Sequence, residues 1–150
     1  MSIGEQVRFL RRAIYRGLAE RLAERSKVPL SRLWVLSALG HHRVESQAEL
    51  AEILYVDAPT LSRMLARLEA DGLVARQPGE DRRKFRLALT PQGQAEALTV
   101  AEALAWIDER LSAELSKDEV VELERLLAKS ARALGTGATR SAGAPDEDPI

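Results

Sequence analysis

The alternation of apolar and polar positions divides the chain into six helical stretches and one hairpin. From Ile3 to Glu24, Val7, Leu10, Ile14, Leu18 and Leu22 recur at helical spacing with Phe9 and Tyr15 beside them, which predicts a long amphipathic helix. A second helix is expected from Pro29 to Leu39, with Leu33, Val35, Leu36 and Leu39 available to a core, Trp34 among them and Gly40 as the stop. Ser46-Gln-Ala-Glu49 has the spacing of a capping box and opens a third helix whose Leu50, Ala51 and Leu54 share one face. Asp57 is placed to cap a fourth, and Pro59 in its first turn costs little. Leu61, Met64, Leu65 and Leu68 then turn inward at i, i+3, i+4, i+7, which leaves Pro59, Ser62, Arg63, Ala66 and Arg67 facing out.

Gly72 suits the left-handed position after that helix, and Leu73 can return to touch Leu68, as in a Schellman stop. Leu73 to Gln77 reads as a strand, Pro78 to Asp81 supplies turn residues, and Phe85, Leu87 and Leu89 alternate with Lys84, Arg86 and Ala88. One face of this hairpin is expected to be apolar and the other basic. Thr90-Pro91 caps and opens a fifth helix, continued by Leu98, Ala101, Leu104, Ala105, Leu111 and Leu115, with Trp106 and Ile107 alongside. Ser116 to Glu119 is a further capping box, and Val120, Leu123, Leu126, Leu127 and Leu134 carry a sixth helix that Gly135 ends. The fold class is therefore mainly α: a winged helix-turn-helix with a two-stranded β wing, plus a helical dimerisation region built from the N- and C-terminal helices. One domain is expected over about 1–134, with the winged part at about 30–90 and dimerisation helices at about 3–24 and 91–134. Residues 135–150, rich in Gly, Ala, Pro and acids, lack periodicity and are expected to be disordered.

Dimerisation is expected because the first, fifth and sixth helices carry more apolar stripe than one small winged domain can cover, most economically buried against a second copy. The 150 residues are 45% hydrophobic and 30% charged, the balance of a globular protein without a membrane span. No cysteine is present and the first residues lack the apolar core of a secretory signal, so the cytoplasm is the expected compartment. A net charge of −1 conceals a division. Met1 to Lys27 holds seven basic residues against three acidic, a net of +4, and Pro59 to Thr90 seven against four, a net of +3. From Pro91 onward twelve acidic residues face six basic ones, a net of −6. The cations of the wing, Arg82, Arg83 and Lys84, thus join Arg63 and Arg67 in a surface of duplex width, with the acidity elsewhere.

These stretches resemble the MarR family of bacterial transcriptional regulators. The resemblance is carried by Leu50-Ala51-Glu52, by Thr60-Leu61-Ser62-Arg63 and Arg67-Leu68-Glu69, and by Gly72-Leu73-Val74. Its most specific part is the wing signature, Asp81-Arg82-Arg83 followed by Leu87-Ala88-Leu89-Thr90 and Gly93. The resemblance implies an all-helical homodimer apart from the wing, binding a pseudo-palindromic operator in double-stranded DNA and released by a small, often aromatic, ligand. It implies that Arg83 is the wing-tip arginine at the minor groove and Asp81 its orienting partner. It also implies an effector cavity bordered by the helix of Trp34, where Arg11, Arg12, Tyr15 and Arg16 of the first helix would meet an anionic ligand. Tyr55 departs from the family pattern, which often has glycine in the turn between the two helices; a left-handed tyrosine there costs on the order of 1–2 kcal/mol.

The reading that results is a homodimeric repressor that contacts DNA through Pro59, Thr60, Ser62, Arg63, Arg67, Arg82, Arg83 and Lys84, with Asp81 supporting the wing. A winged-helix module that binds an acidic protein partner through the same surface is the alternative, since fold alone does not fix function. An enzyme is not expected: there is no cysteine, no paired carboxylates stand at convincing spacing, and His41-His42 sits in a connection with neighbouring side chains pointing apart. No cofactor or metal is called for. Arg8, Arg12 and Arg16, at i, i+4, i+8, have the spacing to anchor a ligand carboxylate or approach DNA phosphate, but a solvated helix face is the commoner explanation of such a row.

Overall fold

Side-chain caps set most of the helix boundaries. The computed structural model describes residues 1–79 and 85–134, with the backbone alone at Phe85. Its elements are α1 (Ile3–Ala23), α2 (Leu30–His41), α3 (Gln47–Leu54), α4 (Ala58–Ala70), β1 (Val74–Pro78), β2 (Phe85–Leu89), α5 (Pro91–Glu114) and α6 (Lys117–Ala133). Ser2, Ser46, Asp57, Thr90 and Ser116 each accept from the amide three residues on, satisfying a donor that the helix itself leaves unpaired. At Ser116 the box is reciprocal, because Glu119 also accepts from the Ser116 amide. At Ser46 it is not: the Glu49 carboxylate reaches one residue further and accepts from the Glu45 amide at 2.9 Å. The expected tail at 135–150 and the end of the hairpin turn lie outside the described residues.

The core forms where α2, α3, α4 and α5 meet β1 and the end of α1. Leu33, Leu36, Leu50, Leu61, Leu65, Leu68 and Val100 are fully buried there, and Leu18, Leu22, Leu73 and Val74 close it. α4 ends as its sequence predicts: Gly72 has φ +72°, its amide donates to Glu69, and the Leu73 amide donates to Leu68 at 2.9 Å, the hydrogen-bond pair of a Schellman motif. β1 and β2 pair antiparallel with Val74 opposite Leu89 and Arg76 opposite Leu87.

Several expectations are corrected. α2 runs through Gly40 to His41, so Gly40 is no stop; it lies where α2 crosses α5, and a Cβ there would stand 3.6 Å from both Ala97 and Leu89. His41 accordingly belongs to the helix, and its Nδ1 lies 2.8 Å from the Ser37 carbonyl. In α5 the buried stripe is Gly93, Ala97, Val100 and Ala103, and Leu98 is 60% exposed. Small residues let α2 approach closely, which rotates Leu98 to the far side. In α1 only Leu18 and Leu22 are buried, while Val7 and Leu10 are exposed, in keeping with the uncovered apolar stripe expected of this helix. The inner face of the hairpin is not wholly apolar either, since Arg76 shares it with Leu87 and donates to Glu69 on α4 at 2.8 Å.

Two backbone positions test this account. A Cβ built on Gly93 overlaps the Leu73 carbonyl oxygen and stands 2.9 Å from the carbonyl carbon, backbone that cannot swing aside. Gly93→Ala should therefore destabilise by roughly 1–3 kcal/mol or more, the usual cost of overpacking. Tyr55 does adopt the left-handed conformation, φ 54° and ψ 40°. Tyr55→Gly relieves about 1–2 kcal/mol of strain, less roughly 0.4–1 kcal/mol for the freer unfolded chain, and should raise stability by up to about 1 kcal/mol. Urea melts of both variants check the two signs.

Candidate nucleic-acid interface

α4 presents its outer face because its inner one is fully committed. Leu61, Leu65 and Leu68 are buried and Met64 is half-buried, so the helix cannot rotate without exposing the core. Pro59, Ser62, Arg63, Ala66 and Arg67 are exposed and Thr60 half-exposed, all on one side. Asp57, the N-cap, accepts from the Thr60 amide at 2.7 Å. Hydrogen bonding by Thr60, first from its backbone and then its side chain, and attraction to Arg63 hold the Asp57 carboxyl below the usual carboxylate range. A depressed acid stabilises the fold above its ordinary titration range, so this cap is lost only as pH falls through the lowered value.

The polar side chains on this face are already held before any ligand arrives. Arg63 Nη2 donates to Thr60 Oγ1 at 3.3 Å, one turn back on the same helix. Gln47, at the start of α3, donates to Ser62 Oγ at 2.5 Å across the helix-turn-helix. Arg67 Nε ion-pairs with Asp71 at 3.3 Å. Gln47 and Asp71 do not figure among the residues expected from sequence; Asp71 stands four residues after Arg67, a spacing that signals a helical ion pair.

The wing is anchored to this helix at its base. Arg76 of β1 joins Glu69 of α4, and Thr90 Oγ1 donates to the Gly72 carbonyl at 2.7 Å while accepting from the Gly93 amide at 3.0 Å. Arg86 on β2 is exposed, adding a cation to the outer side of the hairpin. Arg82, Arg83, Lys84 and Asp81, the expected wing tip, lie outside the described residues.

The expected effector residues fall on two helices that both pack on α5. Arg11, Arg12 and Arg16 are exposed on α1, Tyr15 is half-buried, and Trp34 of α2 is half-buried with its indole Nε1 enclosed and unpartnered among the described residues. A separate shallow cleft of about 80 Å³ between α1 and α5 is lined by Arg21, Leu22, Arg25, Thr99, Glu102 and Ala103, none of them an expected effector residue. There Arg21 stacks 3.8 Å over the Trp106 ring and Arg25 pairs with Glu102. Among the described residues no helix is long and apolar enough to cross a membrane.

Known proteins carry the same arrangement. Residues 26–84 match the sequence model of the MarR family. The HTH-type transcriptional repressor MdtR of Bacillus subtilis (strain 168) is 31% identical over 114 residues, 75% of this chain and 74% of that protein. Among solved structures, the transcriptional regulator PA3341 superposes with a TM-score of 0.77 at 29% identity, covering 89% of this chain and 98% of that one. A mutant of MarR from E. coli complexed with operator DNA superposes with a TM-score of 0.72 at 29% identity, covering 85% of this chain and 92% of the other. Since the matched residues span the helix-turn-helix and the likeness extends over the flanking helices, the chain belongs to the MarR family: it is a winged-helix, DNA-binding transcriptional regulator and not an enzyme.

Proposed function

We propose that this regulator acts as a homodimeric repressor that holds a pseudo-palindromic operator and is released by a small, anionic or aromatic molecule. The observation that carries the reading is the outer face of α4, where Arg63 and Arg67 stand exposed and pre-bonded above a fully packed inner face. The operator complex of MarR from E. coli and the repressor designation of MdtR support the same use of this surface. Two recognition helices related by a two-fold axis would enter successive major grooves, so half-sites lie about one helical turn apart.

The dimer reading rests on apolar surface left uncovered. Ile3, Val7, Phe9 and Leu10 of α1, Leu98 of α5, and Val121, Leu126, Leu127 and Leu134 in or after α6 are exposed, and α6 buries no residue at all. Large apolar side chains left exposed on three helices are the kind of surface that a second copy would cover. Sedimentation at micromolar concentration should give a two-chain mass; a stable monomer removes this part of the reading.

Selection of bound duplexes from a random pool tests the DNA reading and yields the site. On that site Arg63→Ala should cost roughly 1–3 kcal/mol at one base pair if it removes a bidentate guanine contact. Arg83→Ala should instead weaken selected and unrelated duplexes by similar factors and lower the slope of log affinity against log salt by about one unit, because minor-groove and phosphate contacts distinguish bases poorly. Asp81→Ala should do the same more weakly, freeing the arginine without removing its charge. Failure to bind any duplex would favour an acidic protein partner for the same surface.

Trp34 supports the effector reading. A buried indole N–H without a partner costs about 1–3 kcal/mol, which a ligand carbonyl or carboxylate accepting from it would recover. Arg11, Arg12 and Arg16 supply positive charge on α1, and Tyr15 an aromatic edge. Phenolic acids should quench Trp fluorescence and release the selected duplex together, and Trp34→Phe should weaken both effects; ligands that do neither would count against the pocket.

A further inference from the structure

Asp71 stands where helix electrostatics disfavour an acid. It is the C-cap of α4, at the end of the helix dipole that carries partial negative charge, which a carboxylate opposes. Two arginines compensate it. Arg32 of α2 donates through Nη1 to Oδ2 at 3.2 Å, and Arg67 Nε approaches the same oxygen at 3.3 Å. Exposure rises along this chain of contacts, from 21% for the Arg32 side chain to 37% for Asp71 and 67% for Arg67. The carboxylate is therefore gripped from the protein side by a covered cation, and itself grips an exposed one. Arg67 faces Asp71 through Nε, in an ion pair and not a hydrogen bond, and the edge of its guanidinium formed by the two terminal nitrogens can make two parallel hydrogen bonds.

We propose that Asp71 is a positioning residue for Arg67: anchored by Arg32, it aims the terminal edge of Arg67 away from the protein, so that base discrimination by Arg67 depends on a carboxylate that itself touches no DNA. The inference rests on the reading of α4 as the recognition element and adds to it a residue that opposes DNA by charge yet serves its selectivity. An unheld arginine keeps its many rotamers and contacts whichever phosphate is nearest; a held one loses less entropy on making a directed pair. Charge alone predicts something different. An acid near the duplex repels phosphate, and its removal would strengthen binding to every sequence equally.

The full chain is titrated with the duplex recovered by selection, with single-base-pair variants of it and with random duplex, at one salt concentration. Wild type is compared with Asp71→Asn, Arg67→Ala, their combination, and Arg32→Met, which loosens the carboxylate from behind without altering α4; thermal melts establish that each variant is folded. Asp71→Asn should bind random duplex at least as tightly as wild type yet lose about tenfold of its discrimination, at the base pairs that Arg67→Ala affects. The combined variant should discriminate no worse than Arg67→Ala alone, and Arg32→Met should show a smaller loss at the same positions. If Asp71→Asn strengthens selected and random duplex by one common factor, or if Arg67→Ala leaves discrimination intact, the inference is overturned while the DNA reading stands. A wild-type protein that enriches no sequence would overturn both.

Discussion

The carbonyl of Leu73 is the point at which α4, the wing and α5 are joined. It accepts from the Thr90 amide at 3.1 Å while the backbone of Gly93 closes over it so tightly that no Cβ fits between them. One residue earlier the Gly72 carbonyl accepts from the Thr90 hydroxyl, and that hydroxyl caps α5 by accepting from Gly93. Five backbone and side-chain groups, each of which would cost free energy if buried unpaired, are satisfied by one another in this small region. The direction in which α5 leaves the winged part, and the angle at which the hairpin stands off α4, follow from it.

Charge on and around the outer face of α4 is arranged as much by acids as by bases. Glu69 holds Arg76 at the foot of the wing, Asp57 caps α4 and attracts Arg63, and Asp71 binds Arg67 and Arg32. Most of these pairs are solvated and contribute little to folding stability individually. Their consequence is geometric: guanidinium groups otherwise free to sweep a wide volume are confined near the helix surface. The net charge of −1 is compatible with DNA binding because the excess of acid lies in the sequence from Pro91 onward, after α4 and the hairpin.

The outlying helices are governed by a different constraint. α6 has a strongly two-sided sequence and reciprocal capping at Ser116, yet no residue of it is buried by the rest of the chain. The first half of α1 is equally bare. Local propensity and caps specify these helices as helices, but marginal isolated helices gain most of their stability from packing. Their apolar faces are left uncovered by the rest of the described residues.

What the sequence determined by itself was local: element types, caps and stops, read from Ser46, Asp57, Gly72, Thr90 and Ser116 because each acts on amides within three or four residues of itself. The outward face of α4 was legible too, since its leucines leave only one orientation. The left-handed Tyr55 could be anticipated only from its departure from a family pattern. Tertiary structure decided what depends on distance through space. It placed Gly40 inside α2 rather than at its end, because close crossing with α5 rather than a turn explains that glycine. It turned Leu98 outward, because α5 gives the side of Ala97 to α2, where a Cβ on Gly40 would stand 3.6 Å from Ala97. It brought Arg32 to Asp71 across 39 residues of sequence, a contact no spacing rule reaches. Periodicity reports which residues share a face of a helix, but only the packing of neighbouring helices decides which face is covered and which charged groups meet at its edge.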